Sequence, residues 1–579
     1  MLENVPDILE ILKSFPVSLT VLCVIPFVIL SGPTCVQGAH EFPVFRMQQF
    51  DLHQTPTGSR SALVNMEARP MSSEVLTRRC VVIKLSELTI DHFKEVIDKG
   101  AGALLILLPR HLSNLTQQEI EDWQLLENEL LSQMVPVALY FAYEDDYLVN
   151  LHKHIQVAVT SDQANSGFEA LLGVTSASGY QLVASASEAK QKKDTVITNI
   201  QVCFNNYPSL LQNYMKKGNW LVWEWTENLP TIAIVAHYDT FGVAPSLANG
   251  SDSNGSGVVA LLELSRIFSR LYADTQSHAK YHLVFFLSGG GKFNYQGTKK
   301  WLEDSLDNPE QSALNEVDFV LCLDSLGRND NLFLHVSKPP KEGTLAFELF
   351  EEFKQVAQNM FPELNFSVIH KKINLADEVL SWEHERFSVH TQRLPAGTLS
   401  HYSDPQTPGR RSMFDVRVHD DQKLERNIKF IAESLARHIF NLTKKGYSKD
   451  LETFTQGLGV DSQFVKTWMD YLSSQPRPAQ NLHKDHPFLQ GLESTLSKFI
   501  KDVKRTTMKA DKRDPEFVFY DQLETKMSAY RVKPAIFDLF LAVGIASYLG
   551  MVYLAIQNFS SLSDFLWQKQ LGNLKVKQG

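Results

Sequence analysis

The sequence is short of cysteine. Its 579 residues include 5 cysteines, and once the first 38 residues are set apart as a signal only Cys80, Cys203 and Cys322 remain. Three thiols allow at most one disulfide, so the fold rests on apolar cores and not on covalent staples. Cys322 lies inside the apolar run "DFVLCLD" with no basic neighbour, which reads as a buried free thiol and not a nucleophile. Positive charge is also in deficit. A net charge of −10 excludes the broad basic face that a nucleic-acid backbone requires. Low-complexity tracts and a fixed-period repeat are missing too, which disfavours solenoids and propellers. What is present is apolar content of 44%, enough for two or three folded units.

Both ends carry long apolar runs. Phe15 to Leu30, "FPVSLTVLCVIPFVIL", has the length of a signal-peptide core, and the small, polar "SGPTCVQGAH" after it suits a cleavage site. The flank before it carries Glu3, Asp7 and Glu10 against Lys13, so an uncleaved anchor is the alternative. Near the other end, "AIFDLFLAVGIASYLGMVYLAI" (Ala535 to Ile556) has a single charge, Asp538. At 1.5 Å per residue it is just long enough to cross a hydrocarbon core of roughly 30 Å. Lys526, Arg531 and Lys533 precede it and Lys569, Lys575 and Lys577 follow it, so flanking charge does not orient it. A signal at the start does: the bulk is expected in the lumen and 557–579 in the cytosol. Asn-x-Ser/Thr acceptors at Asn114, Asn249, Asn254, Asn365 and Asn441 suit a luminal glycoprotein.

Between these ends the pattern predicts an α/β chain. Residues 39–190 hold three buried runs, "CVVIKL", "AGALLILLP" and "VPVALYFAYED", expected as strands of a smaller N-terminal α/β domain. Residues 191–445 alternate strand and helix: "TIAIVAHYD", a helix from Val258, "YHLVFFLSG", a helix near Lys299, "DFVLCLDSLG", "LFLHVSK" and a helix from Gly343. That alternation predicts a mostly parallel sheet with helices on both faces and a ligand site beyond the C-terminal strand ends. In the helix from Val258, the stripe Val258, Leu261, Leu264, Ile267, Phe268 and Leu271 is expected to be buried, with Glu263 and Arg266 facing away. Residues 446–533 read as a polar helical region, its basic stretch Lys498 to Phe517 a solvated helix face.

Chemistry is expected at the strand ends. "AHYDTFG" brings His237 and Asp239 to the end of one strand, Asp324 ends another, and His401 follows "LPAGTLS". Imidazole and carboxylate groups gathered this way are what a two-zinc hydrolase uses to hold its ions and a bridging hydroxide, with a carboxylate orienting the histidine ring. The strand "FFLSGGGKFNYQGT" supplies no acid at all: Ser288, Gly289, Gly290, Gly291 and Lys292 stand there. Glycine neither takes a proton nor ligates through a side chain, but it tolerates tight turns and close backbone approach.

The order "AHYD", "SDSNGSG", "SGGGKFNYQGT", "CLDSLGR" and "LSH" resembles the di-zinc aminopeptidases, whose fold nicastrin shares. The "HYDTFGVAP", "SGGGKFNYQGTKKWLED" and "DKRDPEFVFYDQL" runs, with both apolar ends, resemble more closely the endoplasmic-reticulum relatives of nicastrin. The resemblance implies an aminopeptidase-like domain in which His237, Asp239, Asp324 and His401 are vestigial ligands. It implies further that Ser253 stands where a bridging aspartate belongs, with Asp252 one position early and pointing elsewhere. The glutamate pair, one base and one ligand, is replaced at Gly289, Gly290 and Gly291. No peptidase activity and no cofactor are expected, with one retained zinc at His237, Asp324 and His401 as the alternative. The tail "KVKQG", with Lys575 and Lys577, resembles a dilysine retrieval signal of a single-pass type I protein of the endoplasmic reticulum membrane. As partners the resemblance implies the luminal protein Nodal modulator, a small multi-spanning membrane protein and the ribosome-associated translocon, with an influence on Nodal signalling. Two other readings stand beside it. One is an active zinc aminopeptidase recruiting Asp252 and Asp404; the other is a receptor for peptide amino termini.

Overall fold

The structure is a computed structural model. It describes residues 39–111, 115–161, 179–185, 188–204, 229–273, 279–307, 314, 317–389, 393–415, 420–449, 451–500, 502–510, 515–532 and 535–557. The expected signal, Asn114 and the lysine tail lie outside these residues.

The first unit alternates strand and helix: β1 (His40–Arg46), β2 (Gln49–Leu52), β3 (Thr55–Ser59), β4 (Asn65–Arg69), β5 (Cys80–Lys84), α1 (Ile90–Asp98), β6 (Ala103–Leu108), α2 (Gln117–Ser132), β7 (Met134–Val135), β8 (Ala138–Tyr143), α3 (Asp146–Ser161) and β9 (Gly179–Ala184). The three apolar runs are strands β5, β6 and β8, paired in parallel. Their alternate residues serve two cores: Ala103, Leu105 and Leu107 of β6 pack in one, Leu104, Ile106 and Leu108 in the other, as the two faces of a strand require. Helix α2 begins where Thr116 and Glu119 cap each other reciprocally.

The second unit contains β10 (Val196–Phe204), β11 (Thr231–His237), α4 (Gly257–Ala273), β12 (His282–Ser288), α5 (Gln296–Asp307), β13 (Val317–Leu323), β14 (Asn331–Val336), α6 (Leu345–Met360), β15 (Asn365–His370), α7 (Glu383–Val389), β16 (Ala396–Ser400) and α8 (Asp421–Ile439). The chain closes with α9 (Ser462–Ser474), α10 (Pro487–Phe499), β17 (Val503–Lys509), β18 (Phe517–Phe519), β19 (Glu524–Val532) and α11 (Ala535–Gln557). One eight-stranded sheet runs β15-β14-β16-β13-β11-β12-β10-β17. Its centre, β16-β13-β11-β12, is parallel. Helices cover both faces: Ile232, Ile234 and Ala236 of β11 pack under α4, α8 and α9, while Ala233 and Val235 pack with Trp301, Leu302 and Phe387 of α5 and α7.

Two expectations are corrected. The segment 446–533 is not a polar helical region: after α9 and α10 it returns as strands. β17, the basic stretch, pairs with β10 at the edge of the large sheet; β18 pairs with β2; β19 closes a barrel ordered β1-β19-β9-β4-β5-β6-β8. Nor do Glu263 and Arg266 face away. The loop before α9 lies over them, so Arg266 makes a bidentate pair with Glu263 at 2.7 and 2.6 Å and Glu263 accepts the Asp461 amide. Burial of this charge is tolerated because both partners are hydrogen-bonded.

The core that holds Leu104, Ile106 and Leu108 of β6 also joins the two units. It gathers Phe50, Leu126 and Phe141 from the first with Phe241, Phe293, Met413, Phe517 and Phe519 from the rest of the chain. Helix α11 continues from β19, and its side chains Val543, Ile545, Leu549, Tyr553 and Ile556 are exposed. Among the described residues, no helix is long and apolar enough to cross a membrane.

Candidate functional site

The cleft lies beyond the C-terminal ends of β11, β12, β13 and β16, where parallel strands release their chains into loops. His237 ends β11, Ser288 ends β12, and His401 follows β16. All the predicted positions, His237, Asp239, Ser253, Gly289, Gly290, Gly291, Asp324 and His401, are brought together here and all are buried.

Each carboxylate already has protein partners. Asp239 accepts the backbone amides of Gly291 at 2.8 Å and Lys292 at 3.3 Å, so the glycine turn neutralises it through its own N–H groups. Burial nevertheless pushes the Asp239 carboxyl up, with His237 and those amides opposing. Asp415, which the sequence reading missed, accepts the amides of Asp252 and Ser253 at 3.0 and 2.6 Å. Asp252 is not turned away from the cleft: it accepts the Gly327 amide at 2.8 Å and lies 3.1 Å from His401. Burial alone would raise Asp324, but Arg410 and Lys292 hold it below the usual carboxylate range; Ser400 donates to it at 3.0 Å and Arg410 Nε stands 3.5 Å away. Asp404, by contrast, is exposed and caps its own turn through the Gln406 amide.

The carboxylate that orients His237 is not Asp239. It is Glu383, from the first turn of α7, which accepts His237 Nδ1 at 3.2 Å, Ser288 Oγ at 2.8 Å and Thr298 Oγ1 at 2.6 Å. Its signal in the sequence, "SWEHERF", sits far from every strand end, and only the fold brings it under β12.

Cations occupy the middle of the cleft. The Lys292 ammonium is buried, donating to Arg410 O at 3.1 Å and Ser253 O at 3.4 Å; burial pulls it down to about 8, against Asp324 and Asp239. The Arg410 guanidinium stacks 3.9 Å above Trp382. The glycine turn itself is tightly wound. Gly290, Asn294 and Tyr295 have φ of 66°, 59° and 54°, and a Cβ on Gly291 would fall 2.3–2.6 Å from His237. Phe293, at the turn's end, packs edge-on against Phe50, Phe241 and Phe519 at 5.3, 5.3 and 4.7 Å. The strand end that would carry catalytic acids in a zinc enzyme is here a joint between the two units.

Two zinc ions do not fit this donor set. Among the described residues, no three His, Cys, Asp or Glu side chains gather where they could hold a metal ion. Each acid has at least one oxygen engaged by amides, a hydroxyl or a fixed cation, which competes with a divalent ion for the same carboxylates. His237 Nε2, Asp324 Oδ1 and His401 Nε2 are buried without hydrogen-bond partners, but Lys292 and Arg410 stand among them. The thiols are inert: Cys80, Cys203 and Cys322 are free, and burial raises Cys322 well above its ordinary value. Of the glycosylation candidates, Asn254 is buried and donates to Asp239 O at 2.5 Å. Asn365 lies exposed on β15, and Asn249 and Asn441 are half-buried.

The fold and cleft define an aminopeptidase-like α/β protein with a reworked strand-end site, and comparison with known proteins agrees. Residues 220–384 match Peptidase family M28. The crystal structure of the gamma-secretase component nicastrin superposes with a TM-score of 0.54 at 10% identity, covering 85% of this chain and 99% of that one. Over the sequence, the chain is 48% identical to the human BOS complex subunit NCLN across 97% of its length and 98% of the relative's. The zebrafish (Danio rerio) BOS complex subunit is also 48% identical, over all of both chains, and nicalin of Caenorhabditis elegans 29%, over 89% of each. The chain belongs to the nicalin family.

Proposed function

We propose that this protein is a non-catalytic, membrane-anchored subunit of an endoplasmic reticulum membrane complex, its luminal aminopeptidase-like domain acting as an assembly scaffold. The observation that carries the reading is the turn after β12. Where a zinc aminopeptidase needs a base and a ligand, this chain has a glycine turn whose Gly291 and Lys292 amides hold Asp239 and a Phe293 that locks two units together. General-base action contributes roughly a hundred- to ten-thousand-fold in such reactions, and no carboxylate is available on that turn to supply it. Glu383 does not substitute, because His237, Ser288 and Thr298 already use it.

Assembly with other subunits is supported by the relatives' name, BOS complex subunit. The partners we propose are Nodal modulator and a small multi-spanning membrane protein at the ribosome-associated translocon, where multi-spanning membrane proteins are made, with an effect on Nodal signalling. The cleavable signal, glycans at the exposed Asn365 and the half-buried Asn249 and Asn441, the lysine pair Lys575 and Lys577, and α11 as the span belong to the same reading. The exposed apolar side chains of α11 support it, since a helix apolar all round needs lipid or a partner helix around it. A receptor for peptide amino termini is disfavoured, because an ammonium entering the cleft would meet Lys292 and Arg410.

Replacing 535–556 with a neutral polyleucine helix tests the anchor's part in assembly. Copurifying subunits are expected to be lost while the thermal melt of the remaining fold is unchanged. Retention of every subunit would remove α11 from the assembly surface.

A further inference from the structure

Above the glycine turn lies a cavity of about 530 Å³, within the range that encloses a small organic molecule. Lys292, Arg410 and Arg411 line it, against Asp377 as the acidic member. Asp377 is exposed and engaged by Asn374 Nδ2 at 2.9 Å, so it is tied to its own loop. Lys292 sits at the floor with two of its three protons assigned to carbonyls. Arg410 is buried beside it, its Nε paired with Asp324 at 3.5 Å and its Nη1 donating to Ser381 O and Pro405 O at 3.2 and 3.0 Å. Arg411 reaches the mouth, exposed, bonded to Lys292 O at 3.0 Å and lying 5.0 Å over the Phe241 ring. Tyr295, Ser381, Gln406 and Thr407 add polar groups to the wall.

We propose that this cavity binds an oxyanion group, a carboxylate or phosphate, with its charge directed to Lys292 and Arg410 and gated by Arg411. Lys292 and Arg410 stand in this cleft beside Asp324, and Arg411 adds a further positive charge at its mouth. Burial strengthens the attraction, since charged hydrogen bonds in a water-poor site exceed those in solvent. The side chains that displace a metal are the ones that hold the anion.

Isothermal titration calorimetry on the full-length chain in detergent tests this, at fixed ionic strength set by sodium chloride. Three probes separate the sources of the oxyanion: inorganic phosphate, an acetylated tetrapeptide with a free C-terminal carboxylate, and its C-terminal amide. Saturable binding of phosphate or of the free acid is expected, with the amide silent. Arg411→Gln, at the exposed mouth and outside the core, is expected to weaken the binding about tenfold, the effect of one lost charged hydrogen bond. Lys292→Met is expected to abolish it. The tighter of phosphate and free acid names the source. Failure of both to bind, equal binding of acid and amide, or unchanged binding in Arg411→Gln would overturn the proposal.

Discussion

Installing a glutamate at Gly291 is expected to damage the protein and not to revive a peptidase. The new Cβ would stand 2.3 Å from the Cβ and 2.4 Å from the Cγ of His237, closer than van der Waals contact permits. The histidine must move, and it is held by Glu383 on one side and packed edge-on against Tyr295 at 5.8 Å on the other. Overpacking of this kind costs about 1–3 kcal/mol, and a further carboxylate buried near Asp239 and Glu383 adds the penalty of an unpaired charge. The sum is a loss of about 3 kcal/mol or more, which should lower the melting temperature by roughly 2–3 °C or more in a chain of 579 residues. Gly291→Ala isolates the steric part and should show much of the loss. Zinc added to either variant should yield no aminopeptidase turnover. A stable Gly291→Glu protein with zinc-dependent hydrolysis would show that the glycine run is a substituted catalytic strand.

The junction between the units offers the second large effect. Glu127 of α2 is buried and accepts the Val243 amide at 2.7 Å and the Met413 amide at 2.9 Å, tying the first unit to two loops that frame the cleft. Glu127→Ala leaves both buried amides without an acceptor, at about 1–3 kcal/mol each, so a loss of roughly 2–5 kcal/mol is expected in chemical denaturation. The same residue predicts a pH dependence. Burial, opposed by Ser412 and the two amides, raises the Glu127 carboxyl from 4.5 to about 7. The folded chain therefore keeps this proton to higher pH than the unfolded chain does. Its contribution is full below about pH 4.5 and is lost as pH rises through about 7, an interval worth roughly 3 kcal/mol. Glu127→Gln, which cannot ionise, should remove that slope. Identical pH profiles for the wild type and Glu127→Gln would contradict the assignment.

Much of this cleft was legible in the sequence because parallel strands are buried on both faces and read as unbroken apolar runs. That places the ends of β11, β12 and β13 within a residue or two, and with them His237, Asp239, Asp324 and the glycine turn. Glu383 was not legible: it lies 146 residues from the histidine it orients, on a short helix whose charged run looks like a surface. Asp252 was misjudged because a one-residue shift reverses direction on an extended strand, whereas here residues 251–256 form a wide helical turn in which both neighbours remain inside. The returning strands β17 and β19 were hidden by their polarity. An edge strand such as β17 exposes one face and discourages further pairing with charge, so "VKRTTMK" resembles a solvated helix until β10, about 300 residues earlier, is placed beside it. The pairing of Glu263 with Arg266 was missed for a related cause: α4 is amphipathic by pattern, yet the chain that follows covers its polar side.

A cleft held by internal hydrogen bonds and fixed cations, as proposed above, is expected to bind no zinc stoichiometrically. Elemental analysis of the purified full-length chain, dialysed against zinc, with aminopeptidase turnover assayed on the same sample, tests it most directly. Substoichiometric zinc and no turnover are the predicted result. Two zinc ions per chain with hydrolysis lost in His237→Ala would contradict it.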